Sequence, residues 1–386
     1  MNEALTVHIE KLLWRGRGLA RLDSGQVVMV EPGVLPGEDV RVRVVKTAKD
    51  YILAEAEEIL APSPLRQTHP CPHADRCGGS RFGIVSPDHG LQLKEAMLRD
   101  AVGRALGRER GPRALENLEV IPSPQGWRYR WRGQIHVRNG RPHAMAHASN
   151  ELVTLTDCHL LAAPLARSMP DLAADLPDGR FTIAASPVTG EAVHERSARE
   201  LEFSFPDFGL SVHLPAATFF QANWSLNQEL VRRTVRAVDG ATRVADLFAG
   251  AGNFALPLAS QGKTILAVEG CAAATRTGAR NAARLGLRSV RFRDADLGKP
   301  KAWKMVHDFD PEVVILDPPR TGAKNIARTL LALPGPRRLI WISCDVVNTI
   351  RDAKPLLEAG WQISTMALLD MFPGTWHMEV LMVLDR

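Results

Sequence analysis

Ser343-Cys344-Asp345 closes an apolar run, Arg338-Leu339-Ile340-Trp341-Ile342, that reads as a buried strand. A thiol there stands outside the carboxyl end of a strand, where α/β sheets bind ligands, and as a thiolate it is a strong nucleophile. The plain alternative is a cysteine that fills core. A second apolar run, Val313-Val314-Ile315-Leu316, leads into Asp317-Pro318-Pro319-Arg320-Thr321-Gly322. Prolines after a strand stiffen the loop and fix its exit, so Asp317 is offered on a rigid support beside the thiol.

A third signal is Asp246-Leu247-Phe248-Ala249-Gly250-Ala251-Gly252-Asn253, between a predicted strand and a helix. Without a Cβ, the glycines let backbone approach a ligand closely. Glu269 ends the next strand, where a carboxylate can accept from ribose hydroxyls. Two nucleotide cofactors meet this pattern. Gly250-Ala251-Gly252-Asn253-Phe254-Ala255 satisfies a loose dinucleotide fingerprint. Asp246, however, would repel a pyrophosphate and suits a cofactor with a cationic end, so S-adenosylmethionine is favoured over NAD(P). Asp294 and Asp296 follow the third strand and could reach an adenine edge.

These loops need a scaffold, and the chain's organisation supplies one. The 386 residues correspond to about two or three domains, with 45% hydrophobic and 24% charged residues, an ordinary globular composition. Apolar strands and helices alternate from about residue 219, as in a doubly wound parallel sheet. Residues 1–60 alternate apolar and polar positions between glycine-rich turns, which predicts a small barrel or a β-meander. Residues 65–215 form a middle region, with a helix expected from about His89 to Leu106 and strands from about Val120 to 215. No apolar run is long enough for a membrane helix, and the first residues lack a signal-peptide core, so a cytoplasmic protein is expected. The net charge of +5 is clustered in arginines such as Arg41, Arg43, Arg128, Arg130, Arg132 and Arg138. Such clusters suit a polyanion, or are simply solvated faces.

With these runs assembled, the chain resembles the S-adenosylmethionine-dependent RNA (uracil-5-)-methyltransferases over nearly its whole length. The resemblance is carried by the D-L-F-A-G-A-G loop, D-P-P-R-x-G, S-C, Phe219-Phe220-Gln221-Ala222-Asn223, and Phe372-Pro373-Gly374-Thr375-Trp376-His377-Met378-Glu379. It implies a Rossmann-like class I methyltransferase domain at 216–386. Before it would come an N-terminal TRAM/OB-type barrel (1–60) and a small iron–sulfur-containing central α+β domain (65–215). It implies Cys344 as nucleophile and Glu379 as base. Gln221, Phe248, Gly250, Gly252, Asn253, Glu269, Asp296 and Asp317 would hold cofactor or uracil. The partner would be RNA whose target base is extruded, with Trp131 and Arg132 as candidate contacts. The barrel favours 23S ribosomal RNA over transfer RNA, and no obligate protein partner is evident. The family usually has Asn where Asp345 stands, and an added carboxylate disfavours a neighbouring thiolate.

The family pattern also has a [4Fe-4S] cluster. Cys71, Cys77 and Cys158 remain as ligands, and Ser80 stands where the family has its third cysteine. The cluster is the favoured reading. Zinc with His73 or His159, or a loop that packs without metal, are the alternatives. Cys271 reads as core. Three rivals stand against the whole assignment: a non-catalytic RNA-binding protein, an NAD(P)-dependent oxidoreductase, and an amino-directed methyltransferase, which would need no cysteine nucleophile.

Overall fold

The computed structural model describes residues 4–147, 149–320, 322–323 and 325–386. Thr321, within the D-P-P-R-T-G run, lies outside the described residues.

The N-terminal region forms a six-stranded sheet. Its alternating pattern explains its core. Along Asp39–Thr47, Val40 and Val42 face inward with Val7, Val28, Val30 and Ile52. Arg41 and Arg43 point outward and pair with Glu58 and Glu55 on the neighbouring strand Tyr51–Ala61. Two of the basic side chains that suggested a polyanion are therefore balanced within the sheet.

A long helix follows, Pro87–Leu115. Ser86 caps it by accepting from the His89 amide, and Pro87 occupies the first turn, where a missing N–H costs nothing. Gly107 breaks its regularity with φ 76°. Met97, Leu98, Ala101 and Val102 form its buried stripe and pack in one cluster with Leu247, Leu316 and Trp341 of the main sheet. A five-stranded antiparallel sheet with helix Ala163–Ala174 makes up most of the remaining middle region.

The main sheet has eight strands, in the order Val290–Asp294, Thr264–Glu269, Arg243–Leu247, Val313–Leu316, Arg338–Ser343, Glu379–Asp385, Gln362–Leu369 and Leu118–Ile121. The first five are parallel, as their near-continuous apolar sequences require of strands covered on both faces. Glu379–Asp385 runs antiparallel to both neighbours. The eighth strand comes from the middle of the chain and pairs parallel with Gln362–Leu369. Among the described residues no helix is long and apolar enough to cross a membrane.

The expected iron–sulfur centre in the middle region is not supported. Among the described residues, no group of three His, Cys, Asp or Glu side chains converges to hold a metal ion. Cys77 Sγ accepts from the Gly79 amide, and its residue bridges to Ala146. His69 is hydrogen-bonded to Ser80, His73 to Thr156, and Asp157 is engaged by Arg128. Burial raises the Cys77 and Cys158 thiols, and the neighbouring cysteines add to the shift. The central region is therefore corrected to an α+β unit whose cysteine loop is packed by hydrogen bonds.

Candidate active site

Strand register brings Cys344 and Glu379 together. Ser343 is the cross-strand partner of Val380 in an antiparallel pair. The next residue along one strand is Cys344, and the preceding residue on the other is Glu379. Both therefore emerge at the same end of the sheet, beside the loop after Leu316 that carries Asp317. Cys344, Glu379 and Asp317 line one cavity of about 1480 Å³. Gln221, Phe248, Gly250, Gly252, Asn253, Glu269 and Asp296 line it too, whereas Asp294 does not.

The glycine loop is held by side chains. Glu269 accepts from the Gly250 amide at 2.9 Å through one oxygen and from the Cys271 amide at 2.7 Å through the other. Gly250 and Gly252 have φ of 54° and 96°, and Phe248, a bulky residue, has 64°. A Cβ on Gly250 would meet nothing within 4 Å, so this backbone faces open cavity. Asn253 exchanges hydrogen bonds with Asn227, which ties the loop to helix Trp224–Val238. Asn223 caps that helix by accepting from the Leu226 amide.

The carboxyl groups at the site are shifted by burial and by one another. Asp246 is fully buried and neither carboxylate oxygen has a hydrogen-bond partner. Burial raises it well above the usual carboxylate range, Asp317 and Glu269 add to the shift, and the nearby Ala255 N–H offsets part of it without closing a hydrogen bond. Asp317 is half-buried, open to the cavity and otherwise enclosed by protein; burial and Glu269 raise it too. Glu379 is only 4% exposed, and burial and Asp317 hold it well above the usual range against the pull of Arg320. Cys344 is pushed up to about 11, first by burial and then by Glu379. His377 is lowered to about 4 by burial and by Arg320, Lys94, Arg130 and Arg15, so its ring is neutral near pH 7.

These observations fit S-adenosylmethionine. Glu269, Asp296 and Asp317 line the cavity beside the open Gly250 backbone, a setting that suits close approach of a ligand with a positive charge and without phosphates. Gly250, Glu269 and Asp296 would hold its nucleoside end, and Asp317 its sulfonium end.

Three cavity residues received no role in the sequence reading. Arg320 sits within the D-P-P-R run and is the cation that acts on both Cys344 and Glu379. Arg130 lies over the Phe372 ring at 5.9 Å and Arg132, already a candidate, over Phe219 at 5.5 Å. Phe219 is 63% exposed. The arginine cluster and the Phe219–Asn223 run were visible signals; their convergence was not. Trp131, by contrast, is half-buried and packs against two apolar clusters. Cys271 is exposed at the cavity wall and is not a core residue.

Comparison with known proteins adds the following. The family model described as tRNA (Uracil-5-)-methyltransferase matches residues 207–386, and the TRAM domain model matches residues 2–56. A 23S rRNA (uracil(1939)-C(5))-methyltransferase, RlmD, from Methylococcus capsulatus is 30% identical, over 100% of this chain and 97% of its own length. Its counterpart from Klebsiella pneumoniae is 31% identical, over 100% and 96%. The solved tRNA (uracil-54, C5)-methyltransferase of Pyrococcus abyssi, in complex with S-adenosyl-L-homocysteine, superposes with a TM-score of 0.74 at 20% identity, over 98% of this chain and 100% of that one.

Proposed function

The chain belongs to the RNA (uracil-5-)-methyltransferase family, and from that premise we propose that it methylates C5 of a uridine in 23S ribosomal RNA through a covalent bond to Cys344. The observation that carries this reading is the placement of a thiol and a buried carboxyl on adjacent antiparallel strands at one cavity. No amino-directed methyl transfer needs that pair. The ribosomal substrate is supported by the named activity of the full-length relatives and by the TRAM domain match. Transfer RNA is the alternative substrate. The work would be done in the cytoplasm.

C5 of uracil is a weak nucleophile. Addition of Cys344 Sγ to C6 forms an S–C6 bond and moves the ring electrons into an enolate, which makes C5 nucleophilic. S-adenosylmethionine supplies the electrophilic methyl group when bound. Glu379 then takes the C5 proton as general base, the C5–C6 double bond re-forms, and Cys344 leaves as thiolate. Arg320, beside both groups, stabilises the thiolate and the ionised Glu379. Asp317 and Gln221 orient the cofactor and the ring. Phe219, Arg130 and Arg132 at the rim offer a stacking face and phosphate partners to RNA entering with its base extruded.

The test is a trap. Fluorine at C5 cannot leave as a proton does, so 5-fluorouridine-substituted 23S RNA with labelled S-adenosylmethionine should leave a protein–RNA adduct stable on a denaturing gel. The adduct should vanish in Cys344→Ala. Absence of any adduct although methyl transfer to unsubstituted RNA proceeds would rule out the covalent route.

A further inference from the structure

The N-terminal sheet touches both catalytic loops through a single turn. In Trp14–Gly16, Arg15 adopts φ 70° and ψ 18°, a left-handed conformation that a bulky side chain holds only when its surroundings impose it. Its guanidinium Nη2 donates to Asp345 Oδ2 at 2.7 Å. The Asp345 side chain is 11% exposed and that of Arg15 68%. The next residue, Gly16, also left-handed, sits on Trp376, whose Cβ would lie 2.9 Å from a Cβ added there. Asp345 directly follows Cys344, and Trp376 lies just ahead of Glu379 in the terminal run.

Asp345 has one task that does not need its charge. It caps helix Val346–Glu358 by accepting from the Asn348 amide, which an asparagine does equally well. Its charge does have a consequence, because it is one of the carboxylates that push the Cys344 thiol up, with Glu379 and Asp317, against Arg320. Asn348 Nδ2 also reaches Asp345 but is neutral. Among the described residues, Arg15 is the ion-pair partner of Asp345.

We propose that Arg15 is a positioning residue of the active site: by pairing with Asp345 it neutralises the carboxylate beside the nucleophile and seats the N-terminal domain on both catalytic loops. The N-terminal domain then contributes to the chemical step as well as to RNA binding. This inference rests on Cys344 as the nucleophile.

The experiment uses the full chain as wild type, Arg15→Gln, Arg15→Lys, Asp345→Asn and the Arg15→Gln/Asp345→Asn double variant. The rate of adduct formation with saturating 5-fluorouridine RNA is followed from neutral to alkaline pH, and RNA affinity and thermal unfolding are measured alongside. Arg15→Gln should slow adduct formation about threefold, the scale of a partly exposed ion pair, and move the alkaline limb to higher pH. Arg15→Lys should restore most of the rate. In the Asp345→Asn background, loss of Arg15 should have no effect on the rate. The proposal is overturned by an equal loss in both backgrounds, by an unchanged rate, or by weaker RNA binding with an unchanged saturated rate. Failure of the wild type to form any adduct would instead remove the nucleophile assignment.

Discussion

Lys94 Nζ donates to Asp370 Oδ1 at 2.5 Å and to the Phe372 carbonyl at 3.0 Å, with the two side chains 1% and 4% exposed. The long central helix thus reaches into the loop that leads to Glu379. Neighbouring carbonyls of that loop are tied down as well: Tyr129 donates to Pro373 at 2.9 Å and the Phe82 amide to Gly374 at 2.9 Å. The loop ahead of Glu379 is thus anchored by residues outside the C-terminal domain.

Removing one member of such a pair leaves a buried charge with no partner. Lys94→Met should cost about 3–5 kcal/mol of stability in urea unfolding. Lys94→Met with Asp370→Leu should recover most of that loss, since a buried pair replaced by apolar groups is often near neutral. The recovered variant should still be slow, because the Phe372 carbonyl loses its donor. A single-variant loss below about 1 kcal/mol, the scale of an exposed pair, would show that the pair is not buried in solution.

Cys344 should give the reaction a steep alkaline dependence. The thiol is pushed up to about 11, so thiolate is scarce at neutral pH and increases with pH until that value is reached. The rate of adduct formation with S-adenosylmethionine present should therefore rise above neutrality by up to about tenfold per pH unit, less where the cofactor's positive charge lowers the thiol. In Glu379→Gln the second-largest cause of the shift is gone and the same limb should move to lower pH. A flat profile would mean that another group fixes the thiolate.

In the proposed mechanism Glu379 acts after the adduct has formed, which separates it from Cys344 in an experiment. With ordinary uridine RNA, Glu379→Gln should form the S–C6 bond but fail to remove the C5 proton. A denaturation-resistant protein–RNA complex carrying the labelled methyl group should accumulate. Normal turnover without such a complex would assign the proton to another base.

The parallel core was legible because its strands are nearly all apolar: every residue of Val313–Leu316 is buried, as is Ile265–Val268. The loops that follow them carry their motifs in short contiguous runs. What the sequence did not disclose depends on register or distance. The strand Leu118–Ile121 joins the sheet from the far side of a five-stranded unit, and Gln362–Leu369, which receives it, was not recognised as a strand. From sequence, Arg41 and Arg43 fit either a polyanion-binding face or a solvated one; pairing sets Glu58 and Glu55 opposite them. The cysteine spacing suggested a metal site, but spacing along the chain does not fix where thiols point, and among the described residues no three ligand side chains converge on a metal position. No local pattern could link Arg15 to Asp345.

The two glycines of the cofactor loop should fail in different ways. Both have positive φ, so alanine at either costs on the order of 1 kcal/mol in backbone strain. A Cβ on Gly250 meets nothing within 4 Å and would project into the cavity. Gly250→Ala should fold with a small drop in melting temperature and bind S-adenosylmethionine at least roughly tenfold more weakly, a loss of about 1.4 kcal/mol of binding. A Cβ on Gly252 would lie 2.8 Å from Phe292 Cζ, partly buried against the core, and 2.9 Å from Leu256 Cγ, buried within it. Gly252→Ala should therefore lose a further 1–3 kcal/mol or so of stability through overpacking. Calorimetric titration and thermal melts on both variants separate the two effects. Equal melting temperatures with equal affinities would show that the loop is free to shift, and that its left-handed backbone is not what holds the cofactor.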